Sequence, residues 1–163
     1  MVLSKPTFLI ATIAASAALS EPLADMEGDW RGAGWARQTL QGPQETVRCQ
    51  ITNSYDAPAL TLTLSGQCVV PGRRLTISGT LMGSEGVERI KGRWFNPDGI
   101  GSVRIAGIQR DGIVAFNFSA TDPATGHDLA QNVEWRISDG TLRLRSTDRS
   151  DPSILMSDIT FGR

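Results

Sequence analysis

The sequence predicts an all-β fold, an antiparallel meander β-barrel of about 8–10 strands with one disulfide. Three observations carry this. Beyond Gly28 the chain has almost no helical periodicity, only short alternating apolar and polar runs broken by Gly, Pro, Asn and Asp about every ten residues. Two-residue turn sequences, Pro71-Gly72, Asp111-Gly112 and Asp139-Gly140, join neighbouring runs as hairpins do. The only two cysteines, Cys49 and Cys68, fall opposite each other once the hairpin that holds them is put in register.

At the N-terminus, residues 1–20 combine Lys5, an apolar run from Phe8 to Leu19 and small residues ahead of Glu21. This is the pattern of a cleaved export signal, cut after Ser20 or as late as Ala24. The run is too short for a membrane-spanning helix, which needs roughly 20 apolar residues. Residues 21–27 are read as a flexible stub and 28–163 as a single barrel domain, in the bacterial periplasm or outside the cell. The full chain has 163 residues with 16 bases and 17 acids. Removing 1–20 takes away Lys5 alone, leaving 15 bases against 17 acids and a net charge of −2 with His neutral. A nucleic-acid partner, which needs a concentrated positive excess, is excluded on that ground.

Strands are expected at 28–39, 45–56, 61–70, 73–83, 86–95, 100–110, 113–121, 132–138, 141–148 and 154–161. A two-residue turn fixes which residues face each other. Asp139-Gly140 sets Ile137 against Leu142 and Trp135 against Leu144 on an apolar face, with Arg136 against Arg143 and Glu134 against Arg145 on a charged one. Asp111-Gly112 sets Gly107 against Phe116 and Ile105 against Phe118. Pro71-Gly72 sets Cys68 against Leu75, Gly66 against Ile77, Leu64 against Gly79 and Leu62 against Leu81.

Carrying the register back through Ala57-Pro58-Ala59-Leu60 places Tyr55 against Leu62, Ile51 against Gly66 and Cys49 against Cys68, all facing inward. Directly opposed strand positions lie within the Cα separation a disulfide needs. A metal would need further ligands and a redox pair a Cys-x-x-Cys spacing, and neither is present. The pair is therefore a staple, which agrees with export. The turn Asn96-Pro97-Asp98-Gly99, read as pairing Phe95 with Ile100, places Ile90 opposite Ile105, Gly92 opposite Val103 and Trp94 opposite Gly101.

Three regions are candidates for function. The first is the interior, either hollow and lined by Trp30, Leu62, Leu64, Ile90, Trp94, Phe116 and Trp135 around a small apolar ligand, or packed solid with bulky side chains covering inward glycines. The second is an outer basic stripe, Arg89, Lys91, Arg93 and Arg104, suited to an anionic partner such as an envelope component, or simply a solvated face. The third is the connection from Asp122 to Gln131, the longest on this reading, which carries the only histidine, His127. The sequence has no Gly-x-Ser-x-Gly, no phosphate loop and no His-Glu-x-x-His. The expectation is a non-catalytic protein with no cofactor and no metal.

Gly28-Asp29-Trp30, opening the first strand, resembles the Gly-x-Trp that begins lipocalin and calycin barrels. The resemblance implies a calyx for a small apolar ligand and an Arg from the closing strands packed across the Trp. Arg143 and Arg145 lie in that region, with the register placing both on the outer face. An alternative is a packed barrel acting through its surface, as an envelope-associated protein or a protease inhibitor. The bacterial inhibitors of secreted metalloproteases are barrels of similar plan with one disulfide, and their inhibitory arm is the chain ahead of the barrel, the place that Glu21 to Glu27 occupy here.

Overall fold

The architecture follows from pairing the first strand with both the second and the last. The computed structural model describes residues 21–96, 99–123 and 126–163, so the expected export signal lies outside the described residues. A short helix, α1 (Pro22–Asp25), precedes ten strands: β1 (Gly28–Ala36), β2 (Glu45–Asp56), β3 (Thr61–Val70), β4 (Arg73–Ser84), β5 (Val87–Asn96), β6 (Gly101–Arg110), β7 (Ile113–Thr121), β8 (Asp128–Ser138), β9 (Thr141–Asp148) and β10 (Leu155–Gly162). Each strand pairs antiparallel with the next, and β1 pairs with β10, from Arg31 opposite Gly162 to Ala36 opposite Ser157. The sheet is a closed meander barrel, an arrangement that leaves no unpaired edge.

Alternation along each strand divides the residues between lumen and outside. In β2 the pattern buries Val47, Cys49, Ile51 and Asn53 and exposes Arg48, Gln50, Thr52 and Ser54. The expected registers hold at three turns and across the cysteine hairpin, including Leu64 opposite Gly79, Gly107 opposite Phe116 and Trp135 opposite Leu144. Asp111 and Asp139 take positive φ, 50° and 47°, beside Gly112 and Gly140 at 70° and 73°, which is the type I′ geometry. Cys49 and Cys68 are direct partners and form the disulfide, with Cα atoms 4.0 Å apart.

One hairpin register differs from the expectation. Asn96, rather than Phe95, closes the turn, opposite Gly101, so Ile90 faces Gly107, Gly92 faces Ile105 and Trp94 faces Val103. The Gly99 amide donates to the Asn96 carbonyl at 3.2 Å, and Gly101 then takes φ 68°, a left-handed step that moves the loop one residue along the chain. The slip is two residues in pairing, so every side chain keeps its face. Two strand ends also move. β1 ends at Ala36, one residue before an Arg37 amide that still bonds the Met156 carbonyl of β10 in the same register, at 2.9 Å. β8 begins at Asp128 because the Asp122 amide bonds the His127 carbonyl at 2.8 Å and closes the turn early. The connection after β1, residues 37–44, is therefore longer than the one at 122–127.

Inward glycines let strands and rings approach closely. A Cβ on Gly92 would lie 1.8 Å from the Thr80 carbonyl oxygen, and one on Gly107 1.9 Å from that of Ala115. At Gly32 it would enter the Phe161 ring, and at Gly79 it would meet the ring of Trp94. Aromatics thus cover glycines on neighbouring strands where the wall bends.

The disulfide closes a loop with a sequence separation of 19 residues. On the chain-entropy argument, Cys49→Ala/Cys68→Ala should lower unfolding stability by about 3 kcal/mol. Denaturant titration of that variant beside the parent measures the loss, and a mature protein that reacts with thiol reagents before reduction would refute the staple.

Candidate ligand-binding site

The two ends of the barrel differ. At the end holding the turns 57–60, 85–86, 111–112 and 139–140, α1 lies against β3, β6 and β7. Pro22, Leu23 and Met26 are buried, the last two to 1% and 0% exposure. Residues 21–27 are therefore a plug rather than a loose stub. Proline in the first turn, with Leu23 and Met26 three residues apart, puts the apolar groups on one side of a single turn.

The Met26 carbonyl is the anchor of this plug. It accepts from the indole N–H of Trp30 and from the side-chain amide of Asn53, each at 2.9 Å. Arg163, just beyond β10, lays its guanidinium 4.7 Å from the Trp30 ring centroid and donates to the Glu27 carbonyl at 3.0 Å. The Arg expected across Trp30 is thus Arg163, while Arg143 and Arg145 stay outside, both on Asp158. The Leu23 amide donates to Gln109 at 3.3 Å, and the Tyr55 hydroxyl donates to the Glu21 carboxylate at 2.9 Å. Burial first, then that hydrogen bond, pushes the Tyr55 phenol up to about 12.

Above the plug the lumen is packed. Trp30, Leu62, Leu64 and Trp135 are exposed by 1% or less, and Ile90 and Phe116 by 3% and 4%. Of the seven side chains expected to line a ligand, these six form the solid core, and Trp94 alone remains half-buried. Towards the opposite end some inward apolar side chains stay partly open to solvent, Leu75 and Ile77 on β4, Trp94 on β5, Ala120 on β7 and Leu129 on β8, with Leu144 at mid-height on β9, while Val47, Val70, Val103 and Phe118 are buried. Strand β9 lies across the barrel from β4, so Leu144 and Ile77 are on facing walls. Trp94 forms the side of this cup, 5.9 Å from the Phe116 ring.

The cup has a polar margin. The Ser146 and Ser157 hydroxyls, buried to 5% and 9%, hydrogen-bond each other at 2.7 Å. Arg73 and Glu45 form an ion pair at the same end, beside β1 and β2. Among the described residues no group of three or more His, Cys, Asp or Glu is placed to hold a metal. The basic stripe is where the sequence put it: Arg89, Lys91, Arg93 and Arg104 are exposed on the outer wall. His127 is exposed on the 122–127 turn.

Sequence reasoning missed the plug and the cup. Pro22-Leu-Ala-Asp was a readable helix start, but four residues carry too little periodicity to register. Half-burial of Leu144 between buried Leu142 and Ser146 has no signal in an alternating strand. The chain matches no known family model and no curated protein.

Two outcomes follow from the plug. Leu23→Ala should cost about 2–5 kcal/mol in denaturant unfolding, as a large-to-small change in a packed site. Tyr55 is the single tyrosine, so its phenolate can be followed by ultraviolet absorbance. The native protein should titrate near 12 and the denatured chain near the ordinary value of 10.0. Because the folded value is raised, this stability is complete below pH 10 and lost as pH rises towards 12. Glu21→Gln should bring the native midpoint down.

Proposed function

We propose that the protein is an exported, non-catalytic, lipocalin-like binding protein that takes a small apolar ligand through the end opposite α1. The supporting observation is the asymmetry of the lumen. One end is closed by α1, with Tyr55 and Ile137 the partly exposed inward apolar groups beside it, while Leu75, Ile77, Trp94, Ala120 and Leu129 are partly exposed towards the other. Inward apolar groups that reach solvent together form the concave apolar lining of a ligand site. The wall offers few free polar groups: the Ser146 and Ser157 hydroxyls bond each other and the buried Asp148 carboxylate accepts from the Ser150 and Asp151 amides, so recognition rests on shape and burial.

The Trp30–Arg163 stack at the plugged end supports the lipocalin-like reading, as does the closed meander. The disulfide supports export. The plug also bears on processing: cleavage after Ala24 would cut α1 and discard buried Leu23, so Glu21 is the favoured first residue of the mature chain. Anchoring of that segment argues against a free inhibitory arm ahead of the barrel.

Native mass spectrometry of the mature protein taken from its own compartment should show a discrete adduct that is lost on denaturation. In the ligand-free protein, the uncharged apolar probe N-phenylnaphthylamine should bind and quench Trp94. Ala120→Trp, which fills the cup, should abolish probe binding without lowering thermal stability. A bare mass together with no probe binding refutes the carrier.

A further inference from the structure

Two cross-strand pairs of the barrel set arginine directly opposite arginine on the outer wall. Like charges in that position repel. In the first pair, Arg136 and Arg143 across β8 and β9, both are neutralised: Arg136 by Glu134 at 3.0 Å, and Arg143 by Asp158 through two hydrogen bonds of 2.8 and 2.6 Å. In the second, Arg93 and Arg104 across β5 and β6, no described carboxylate lies within ion-pair distance, and the contact of Arg93 is the Ser102 hydroxyl at 3.4 Å. Arg89 and Lys91 extend the same row, again without an ion pair to a described residue. The outward positions of β4, β5, β6 and β7 hold no carboxylate, and Glu88 on the opposite face of β5 reaches Arg110 instead, at 3.8 Å. A strip of cations with no carboxylate partner among the described residues therefore stands on a protein whose mature net charge is negative, so its field is local.

The same strip carries apolar groups. Val87, Phe95 and Ile108 are exposed by 48%, 41% and 38%, and all three project outward from β5 or β6. Phe95 and Val87 stand at opposite ends of the row, with Arg93, Lys91 and Arg89 between them and Ile108 opposite Arg89. A soluble polyanion would be served by the cations alone. Cations interleaved with an exposed aromatic and two aliphatics match an interface with phosphates at one level and acyl chain just beneath. Arginine adds a planar fork suited to phosphate oxygens.

We propose that the outer wall of β5 and β6 is a docking face for an anionic lipid bilayer, with Arg89, Lys91, Arg93 and Arg104 on headgroup phosphates and Phe95, Ile108 and Val87 entering the interface. The face is independent of the cup, although Phe95 stands beside the turn at the cup's open end. Bilayer phosphates supply the counter-charge that Asp158 and Glu134 give the other arginine pair.

The test is sedimentation of the mature protein with vesicles of phosphatidylcholine alone and of an equimolar mixture with phosphatidylglycerol. Binding to the mixed vesicles only, lost at high salt, is expected. Arg93→Gln/Arg104→Gln should weaken it roughly 30-fold, Phe95→Ser should weaken it at every salt concentration at which the parent binds, and Arg136→Gln should leave it intact. If the double variant loses its fold, Arg89→Gln/Lys91→Gln gives the same reading on the same wall. No binding to the mixed vesicles, equal binding to both kinds, or parental binding by the variants overturns the proposal. Retention on heparin without vesicle binding assigns the face to a polymer and overturns it equally.

Discussion

Closure of the sheet is the constraint from which the rest follows. Once β1 hydrogen-bonds to β10, alternate residues of ten strands must point into one lumen, and a one-residue slip anywhere would turn a whole strand inside out. The turns prevent such slips locally, and the Cys49–Cys68 bond pins the second hairpin covalently. Inward glycines then let the wall bend, with Phe161 over Gly32 and Trp94 over Gly79 occupying the space that each missing side chain leaves.

A closed sheet still has two ends, and this chain treats them differently. One is filled by Leu23 and Met26, and the filling is held from several directions at once. Trp30 and Asn53 reach the Met26 carbonyl, Arg163 spans Trp30 and Glu27, and Tyr55 meets Glu21. The extremities of the described chain therefore meet at one site, so the plug is coupled to closure of the barrel. At the other end, among the described residues, Leu75, Ile77, Trp94, Ala120 and Leu129 stay partly exposed, while Val70, Val103 and Phe118 are buried. The proposal of a ligand site rests on this difference between the two ends.

Acidic residues stand at both ends, with Glu45, Asp122, Asp128, Asp148 and Asp151 at the one opposite α1, and the charge asymmetry lies along the wall. Asp56, Glu85, Asp111 and Asp139 lie in or beside the turns of the plugged end, close to Glu21, Asp25 and Glu27. On the wall, Asp158 holds Arg143 and Arg145, and hydrogen bonding from Arg143 keeps its carboxyl below the usual range. Across the barrel, Arg93 and Arg104 have no such partner among the described residues. An overall net charge near zero conceals these differences, which matter for what the wall can meet.

The sequence by itself determined the meander, the three tight-turn registers, the facing of nearly every strand residue and the disulfide. These are local consequences of period-two patterning and of turn residues such as Asp139-Gly140, whose backbone demands fix pairing over short range. It left the turn at 96–99 two residues out of register, because a four-residue loop with several turn formers admits more than one closing pair. Only the tertiary structure decided that Pro22 to Met26 plugs one end, that Arg163 is the arginine on Trp30, and that Trp94 and Leu144 stay open while Trp135 and Leu62 do not. Those outcomes depend on which end of a closed cylinder a residue occupies and on what lies across the lumen. Alternation along a strand reports the face of a residue and carries no information about its height or its distant neighbours.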